Sequence, residues 1–191
     1  SKIIESIEHS LEQFPVEQLI EIGPGHGALT IPWIEKHNDI PLTIIEKDNL
    51  IANEWREKNL TGVSLLNADA AGVAYAELLR GKPVGVFSNL PYSVGTKIFS
   101  ALAEHPDRIR FMVLMFQKEV AERILLKPGS VGSLGIWSQN HWDIQKLLLV
   151  PPSAFKPKPK IDSLVIKCTP RTEPKIKQSA LSAAHKKLWQ E

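Results

Sequence analysis

Along most of the chain, short apolar runs alternate with segments whose apolar positions recur every three or four residues. Ile3, Ile4, Ile7, Leu11 and Phe14 have helical spacing and predict a helix from Lys2 to Phe14. Leu19-Ile20-Glu21-Ile22 reads as a strand that ends in a glycine cluster, with a helix expected over Ala28 to Lys36. The alternation then repeats. Leu42 to Ile45 reads as a strand and Leu50 to Lys58 as a helix; Val63 to Leu66 is extended and Ala71 to Arg80 helical. Val84 to Phe87 is extended and Val94 to Glu104 helical, while Phe111 to Phe116 forms an apolar strand before a helix from Lys118 to Leu126.

Strands that are apolar throughout and alternate with helices predict a mostly parallel sheet covered on both faces, an α/β fold. After Lys127 the pattern changes, because Gly129, Gly132 and Gly135 loosen the backbone. Two further apolar runs, Ile144 to Val150 and Leu164 to Cys168, are joined by the Pro-rich stretch Pro151 to Pro159 with no helix between them. They predict an antiparallel pair at the sheet edge, making seven strands in all. The end of the chain is polar and Lys-rich, with a short helix expected near Ser179 to Leu188. The expected division is one domain over residues 1–169 and a Lys-rich remainder over residues 170–191.

Composition narrows the function less than the pattern does. Of 191 residues, 43% are hydrophobic and 23% charged, which is ordinary for a globular protein. A formal net charge of +2 announces no global field for nucleic acid, so such a partner would have to meet a local patch. The single cysteine, Cys168, excludes an internal disulfide and offers no zinc set, so no metal is expected. No stretch reads as a membrane span or a signal peptide, and a reducing, cytoplasmic setting with a monomeric chain is expected.

The candidate chemistry sits at the ends of the predicted strands. Glu21-Ile22-Gly23-Pro24-Gly25-His26-Gly27 follows a strand and opens a helix, where glycines let the backbone turn tightly and approach a ligand. Gly23, Gly25 and Ala28 also satisfy a dinucleotide fingerprint, which keeps a nicotinamide or flavin enzyme open. His26, between glycines, reads as a backbone position rather than a base. Glu46 closes the second strand 19 residues beyond Gly27, the spacing of an acid that binds ribose hydroxyls. Asp69 ends the third strand; it can accept from an adenine amine, cap the following segment, or do both. After the fourth strand comes Ser88-Asn89-Leu90-Pro91-Tyr92. There the Asn89 amide oxygen and the Leu90 carbonyl are acceptors, Pro91 stiffens the turn, and Tyr92 offers a stacking face. That set suits a planar ring whose amine attacks a sulfonium methyl group. In an open parallel sheet all four sites share one crevice.

These stretches resemble the dimethyladenosine transferases of small-subunit ribosomal RNA, the type that confers kasugamycin sensitivity. So do Phe116-Gln117-Lys118-Glu119-Val120-Ala121-Glu122-Arg123 and Val150 to Ser163, which contains Ala154-Phe155-Lys156-Pro157-Lys158-Pro159-Lys160. The resemblance covers roughly Ser1 to Arg171. It implies a Rossmann-like methyltransferase fold that uses S-adenosylmethionine. It further implies dimethylation of two adjacent adenosines near the 3′ end of small-subunit rRNA, with the free rRNA or the pre-assembled subunit as partner. By motif matching, Glu21, Gly23, Gly25 and Gly27 would border the cofactor's methionine part. Glu46 and Lys47 would lie at the ribose, and Asp69 and Ala70 at the adenine, with Asn89 between cofactor and substrate. Asn89, Leu90, Pro91 and Tyr92 would form the catalytic turn. Tyr92 and Phe155 would enclose the target base, with Lys156, Lys158 and Lys160 on the rim.

Two features usual in that family are expected to be missing here: a Gln-Asn-Phe-Leu-like segment before the first helix, and most of a helical C-terminal subdomain, represented only by the Lys-rich end. Val131 stands where an aromatic is expected. Two alternatives remain open, a large-subunit rRNA methylase of the antibiotic-resistance type and a non-catalytic RNA-binding assembly or transcription factor on the same fold.

Overall fold

A computed structural model describes residues 2–91, 93–126, 133–155 and 158–175. Each predicted apolar run is a strand: β1 (Gln18–Ile22), β2 (Leu42–Glu46), β3 (Val63–Asn67), β4 (Val84–Asn89), β5 (Ile109–Gln117), β6 (Trp142–Val150) and β7 (Ser163–Pro170). They form one sheet in the order β3-β2-β1-β4-β5-β7-β6. The first five are parallel, and the order reverses between β1 and β4, the point at which such sheets open a crevice. β7 runs antiparallel to both neighbours and inserts between β5 and β6.

Seven helices among the described residues are α1 (Lys2–Gln13), α2 (Thr30–Ile34), α3 (Asn49–Lys58), α4 (Tyr75–Leu78), α5 (Gly95–Ala103), α6 (Lys118–Ile124) and α7 (Ser133–His141). One apolar cluster joins Ile4 and Ile7 of α1, Trp33 of α2 and Trp55 of α3 to one face of the sheet. The other joins Tyr75 of α4, Phe99 of α5 and Ile124 of α6 to the opposite face, with Trp137 of α7 packed against it. Each such fully buried large side chain contributes about 1.5–3 kcal/mol of burial free energy. At Gly85 a Cβ would stand 2.5 Å from the Phe111 ring and 2.8 Å from Leu19, so glycine lets that ring lie across the strand.

α3 starts where Asp48 caps it, accepting from the Leu50 and Ile51 amides at 2.8 and 3.1 Å. It stops at Asn59, whose φ of 43° is left-handed.

Three helical expectations differ from the structure. The helix expected from Ala28 begins at Thr30, because residues 25–29 complete the glycine turn. The one expected over Ala71 to Arg80 divides into a 3-10 turn, Ala70–Gly72, and the short α4. The Tyr75 hydroxyl pins that break by donating to the Ala70 carbonyl at 2.9 Å. α7 forms where glycines suggested loose chain; its Gly135 lies against the Arg123 carbonyl of α6, too near for a Cβ. The helix expected near Ser179, and Val131, Gly129 and Gly132, lie outside the described residues.

Candidate active site

The tips of β1, β2 and β4 are joined by polar contacts that fix the site before any ligand is considered. Ser88 Oγ donates to the Ile22 carbonyl at 2.5 Å, tying β4 to β1. The Gly23 amide donates to the Ile45 carbonyl at 2.9 Å, tying the glycine turn to β2. Gly23, Gly25 and Gly27 have φ of 65°, 53° and 94°, a region that side-chain-bearing residues rarely adopt. The Gly25 amide donates to Glu46 Oε2 at 3.3 Å, while Glu46 Oε1 accepts from the Asp48 amide at 2.8 Å. The Glu46 carboxylate thereby spans the turn and the start of α3.

Beside the turn opens a cleft of about 850 Å³. Its walls bring together Glu21, Gly23, Gly25 and Gly27 with Asn89 from β4 and Phe155 from the loop after β6. Met115, Leu148 and Val150 line its apolar part. The Leu90 amide donates to the Met115 carbonyl at 3.1 Å and so fixes the turn after Asn89 to β5. Glu21 is buried and accepts from Thr30 Oγ1 at 2.6 Å. Burial pushes its carboxyl up to about 8, against the smaller opposing effect of the Thr30 hydrogen bond.

The chain matches the family described as "Ribosomal RNA adenine dimethylase" over residues 1–184. It belongs to that family. "Ribosomal RNA small subunit methyltransferase A" of Proteus mirabilis (strain HI4320) is 38% identical over 177 residues, covering 91% of this chain and 65% of the relative. Its counterpart in Xanthomonas campestris pv. campestris (strain B100) is 36% identical over 172 residues, covering 88% and 65%. The chain thus spans just under two thirds of the length of these curated relatives. Among solved structures, a dimethyladenosine transferase from Plasmodium falciparum superposes with a TM-score of 0.73 at 25% identity, covering 88% of this chain and 61% of that one. The 23S rRNA methyltransferase ErmE superposes with a TM-score of 0.75 at 24% identity, over 94% of this chain and 72% of that one, and so shares the fold.

Within this dimethylase fold the expected residues fall into two groups. Glu21, the three glycines, Asn89 and Phe155 border the cleft itself. Glu46, Lys47, Asp69 and Ala70 lie along the neighbouring strand tips, outside the cleft walls. Lys47 Nζ pairs with Asp69 Oδ2 at 2.7 Å, and Asp69 Oδ1 also accepts from the Ala71 amide at 3.0 Å. The Lys47 hydrogen bond, followed by that of the Ala71 amide, holds the Asp69 carboxyl below its ordinary range. Asp69 is therefore a cap, and Ala70 beside it is buried. Leu90 is buried and Pro91 exposed. Lys158 and Lys160 are exposed on the loop between β6 and β7. Tyr92 and Lys156 lie outside the described residues.

His26 lines the cleft but is exposed, with Nδ1 3.1 Å from Glu54 Oε2. The sequence reading missed Trp55, whose indole nitrogen donates to the Gly25 carbonyl at 2.8 Å. Ile51 and Trp55 at i and i+4 signal only a core-facing helix stripe, so spacing could not separate this residue from an ordinary core tryptophan. Among the described residues, no cluster of three or more His, Cys, Asp or Glu side chains could hold a metal ion, and no helix is long and apolar enough to cross a membrane.

Proposed function

We propose that this chain carries the catalytic part of an S-adenosylmethionine-dependent enzyme that dimethylates adenosines of small-subunit ribosomal RNA. The single observation behind the reading is that the glycine turn, the Asn89 turn and Phe155 meet in one cleft. The naming of the curated relatives supports the small-subunit target.

The residues fit the cofactor on the structure's own terms. At Gly23 and Gly25 a Cβ would meet nothing within 4 Å, so the backbone faces open space where a ligand can approach it. Glu46 supplies a carboxylate for ribose hydroxyls, Asp69 an acceptor for an adenine amine, and Lys47 their cationic neighbour. Glu21 is the acid at the cleft's glycine end. When bound, the cofactor supplies an electrophilic methyl group.

The chain's own contribution is to hold the attacking amine. An adenine amine is a poor nucleophile because its lone pair is delocalised into the ring. Asn89 Oδ1 and the Leu90 carbonyl accept the amine hydrogens and favour a localised lone pair directed at the methyl group. Alignment of the reacting atoms supplies much of the rate. No strong base is needed before attack, since the proton becomes acidic once the bond to carbon has formed. The base must leave its stack, at a cost of a few kcal/mol. Tyr92 and Phe155 return about 1–3 kcal/mol per stacking contact. Lys156, Lys158 and Lys160 would meet phosphates at the rim. Residues 1–169 form the methyltransferase domain in this reading, with residues 170–191 a Lys-rich remnant of a C-terminal helical subdomain.

The test is incubation with labelled S-adenosylmethionine and under-methylated small or large ribosomal subunits, followed by location of the label. Label on adenosines of small-subunit RNA, two methyl groups per amine, is expected. Label confined to large-subunit RNA overturns the target, and binding without transfer overturns the catalytic reading.

A further inference from the structure

We propose that Trp55 is a positioning residue for the cofactor: its indole grips the glycine turn from behind and holds it in the shape its ligand requires. The inference rests on the reading of that turn as the S-adenosylmethionine site.

A turn with three glycines at positive φ has many alternative conformations, and fixing them costs entropy. A ligand that meets a loose turn must supply that ordering itself, so contacts that order it beforehand raise affinity. Here both sides of one residue are held. The Gly25 amide donates to Glu46 at 3.3 Å, a long bond, and the Gly25 carbonyl accepts from Trp55 Nε1 at 2.8 Å, a short one. Trp55 is only 4% exposed and packs in the core cluster with Ile44, so the donor of the second bond is shielded from competing water.

The ring does more than donate. A Cβ on Gly27 would stand 3.0 Å from Trp55 Cη2 and 3.1 Å from Cζ2, so the indole's six-membered ring fills the space behind the turn. Between these two glycines, His26 Nδ1 lies 3.1 Å from Glu54 Oε2. Three successive residues of the turn are therefore held by two successive residues of α3. The Lys58 ammonium, 5.0 Å from the Trp55 ring centroid, adds a cation–π contact to the same indole.

α3 acts as a strut fastened at both ends. Near its start, Glu46 joins the Asp48 amide to the Gly25 amide; in its last turns, Trp55 joins the helix to the Gly25 carbonyl. With that oxygen committed to the indole, the Gly25 peptide cannot rotate to turn its carbonyl on an anionic part of a ligand.

The experiment uses the full-length chain and S-adenosylhomocysteine as probe, read by calorimetry. Trp55→Phe keeps an aromatic ring and removes the N–H; a five- to tenfold rise in Kd is expected. Trp55→Leu also removes the ring, and a rise of about thirtyfold is expected. With cofactor saturating, kcat and the KM for RNA are expected to stay within twofold of the parent. A purely structural tryptophan would lower the unfolding temperature and leave the probe's Kd unchanged in folded variant protein, which would overturn the proposal. If neither variant folds, the parent decides by NMR. The Trp55 indole N–H is expected to exchange slowly with solvent and to shift when the probe binds. Rapid exchange, or no shift in a saturated sample, overturns it. A parent that binds no S-adenosylhomocysteine refutes the cofactor reading, and this inference with it; a parent that binds while Trp55→Phe binds equally well refutes the positioning role alone.

Discussion

Lys47 and Asp69 are joined by an ion pair of 2.7 Å that bridges the tips of β2 and β3. The two side chains are 71% and 45% exposed, so solvent and salt screen the pair and it adds little to stability. Its partners are expected to matter unequally. Asp69 is the proposed acceptor for an adenine amine, whereas Lys47 only accompanies it. Asp69→Ala should weaken S-adenosylhomocysteine binding about tenfold, the loss of one hydrogen bond to a charged group. Lys47→Met should change it less than threefold. Calorimetric titration of both variants checks the contrast, and equal losses would contradict the assignment of roles.

Glu21 predicts a pH dependence of stability. Its carboxyl is raised from 4.5 to about 8 by burial, so the folded chain holds a proton that the unfolded chain gives up earlier. Below about pH 4.5 both states are protonated and Glu21 contributes no slope. Between there and about pH 8 the unfolded state binds fewer protons, so stability falls as pH rises; above that the loss is complete. The full cost is about 3–5 kcal/mol. Glu21→Gln, a neutral isostere that can still accept from Thr30, is expected to match the parent at pH 4 and exceed it by a few kcal/mol at pH 9. Urea unfolding of both proteins across that range measures the difference, and parallel curves would count against a buried, protonated Glu21.

Gly85→Ala tests the packing at the centre of the sheet. The new methyl would fall 2.5 Å from the Phe111 ring, which is itself fully buried and has no room to retreat. Overpacking of this kind costs about 1–3 kcal/mol. A matching drop in unfolding free energy is expected in denaturant titrations, with the cofactor's Kd preserved in the folded fraction. At Gly62 the same methyl would meet nothing within 4 Å, so Gly62→Ala suffers only the strain of its φ of 78°.

Asn89→Ala separates chemistry from cofactor binding. The side chain lies on the cleft wall at the exposed end of β4, while the amides and carbonyls that shape the glycine turn belong to other residues. Single-turnover transfer is expected to fall at least a hundredfold, with S-adenosylhomocysteine bound within threefold of the parent. A variant that methylates at the parental rate would remove the amide from the mechanism.

The inner part of the sheet was legible because its strands are mostly apolar on both faces. Leu42 to Ile45 and Phe111 to Phe116 leave no polar alternation that a helix or a half-exposed strand could explain. The glycine turn, Glu46, Asp69 and Asn89 were legible for a related reason. Each lies at or just beyond the end of a strand, and parallel strands in one sheet bring those ends to one edge. The short helices were less so. Ala71 to Arg80 carries a helical apolar stripe, but the Tyr75 hydroxyl bonds back to Ala70 and interrupts it, a tertiary contact that spacing does not encode. α7 was missed because Gly135 reads as a breaker, whereas it serves close approach to α6. The clamp on the glycine turn was missed because a tryptophan's packing and its one hydrogen bond have the same sequence signature.

The strand order also sets a timetable for synthesis. β6 is hydrogen-bonded into the sheet only through β7, and β7 is the last of the described strands to leave the ribosome. Parallel strands β1 to β5, with the glycine turn and Asn89, can assemble once residue 117 has emerged, since domains tend to fold as their segments appear. Phe155 is carried on the β6–β7 connection, which joins the sheet only when β7 pairs with β5. A nascent chain would thus complete the glycine turn and the Asn89 end of β4 well before Phe155 closes the cleft opposite them.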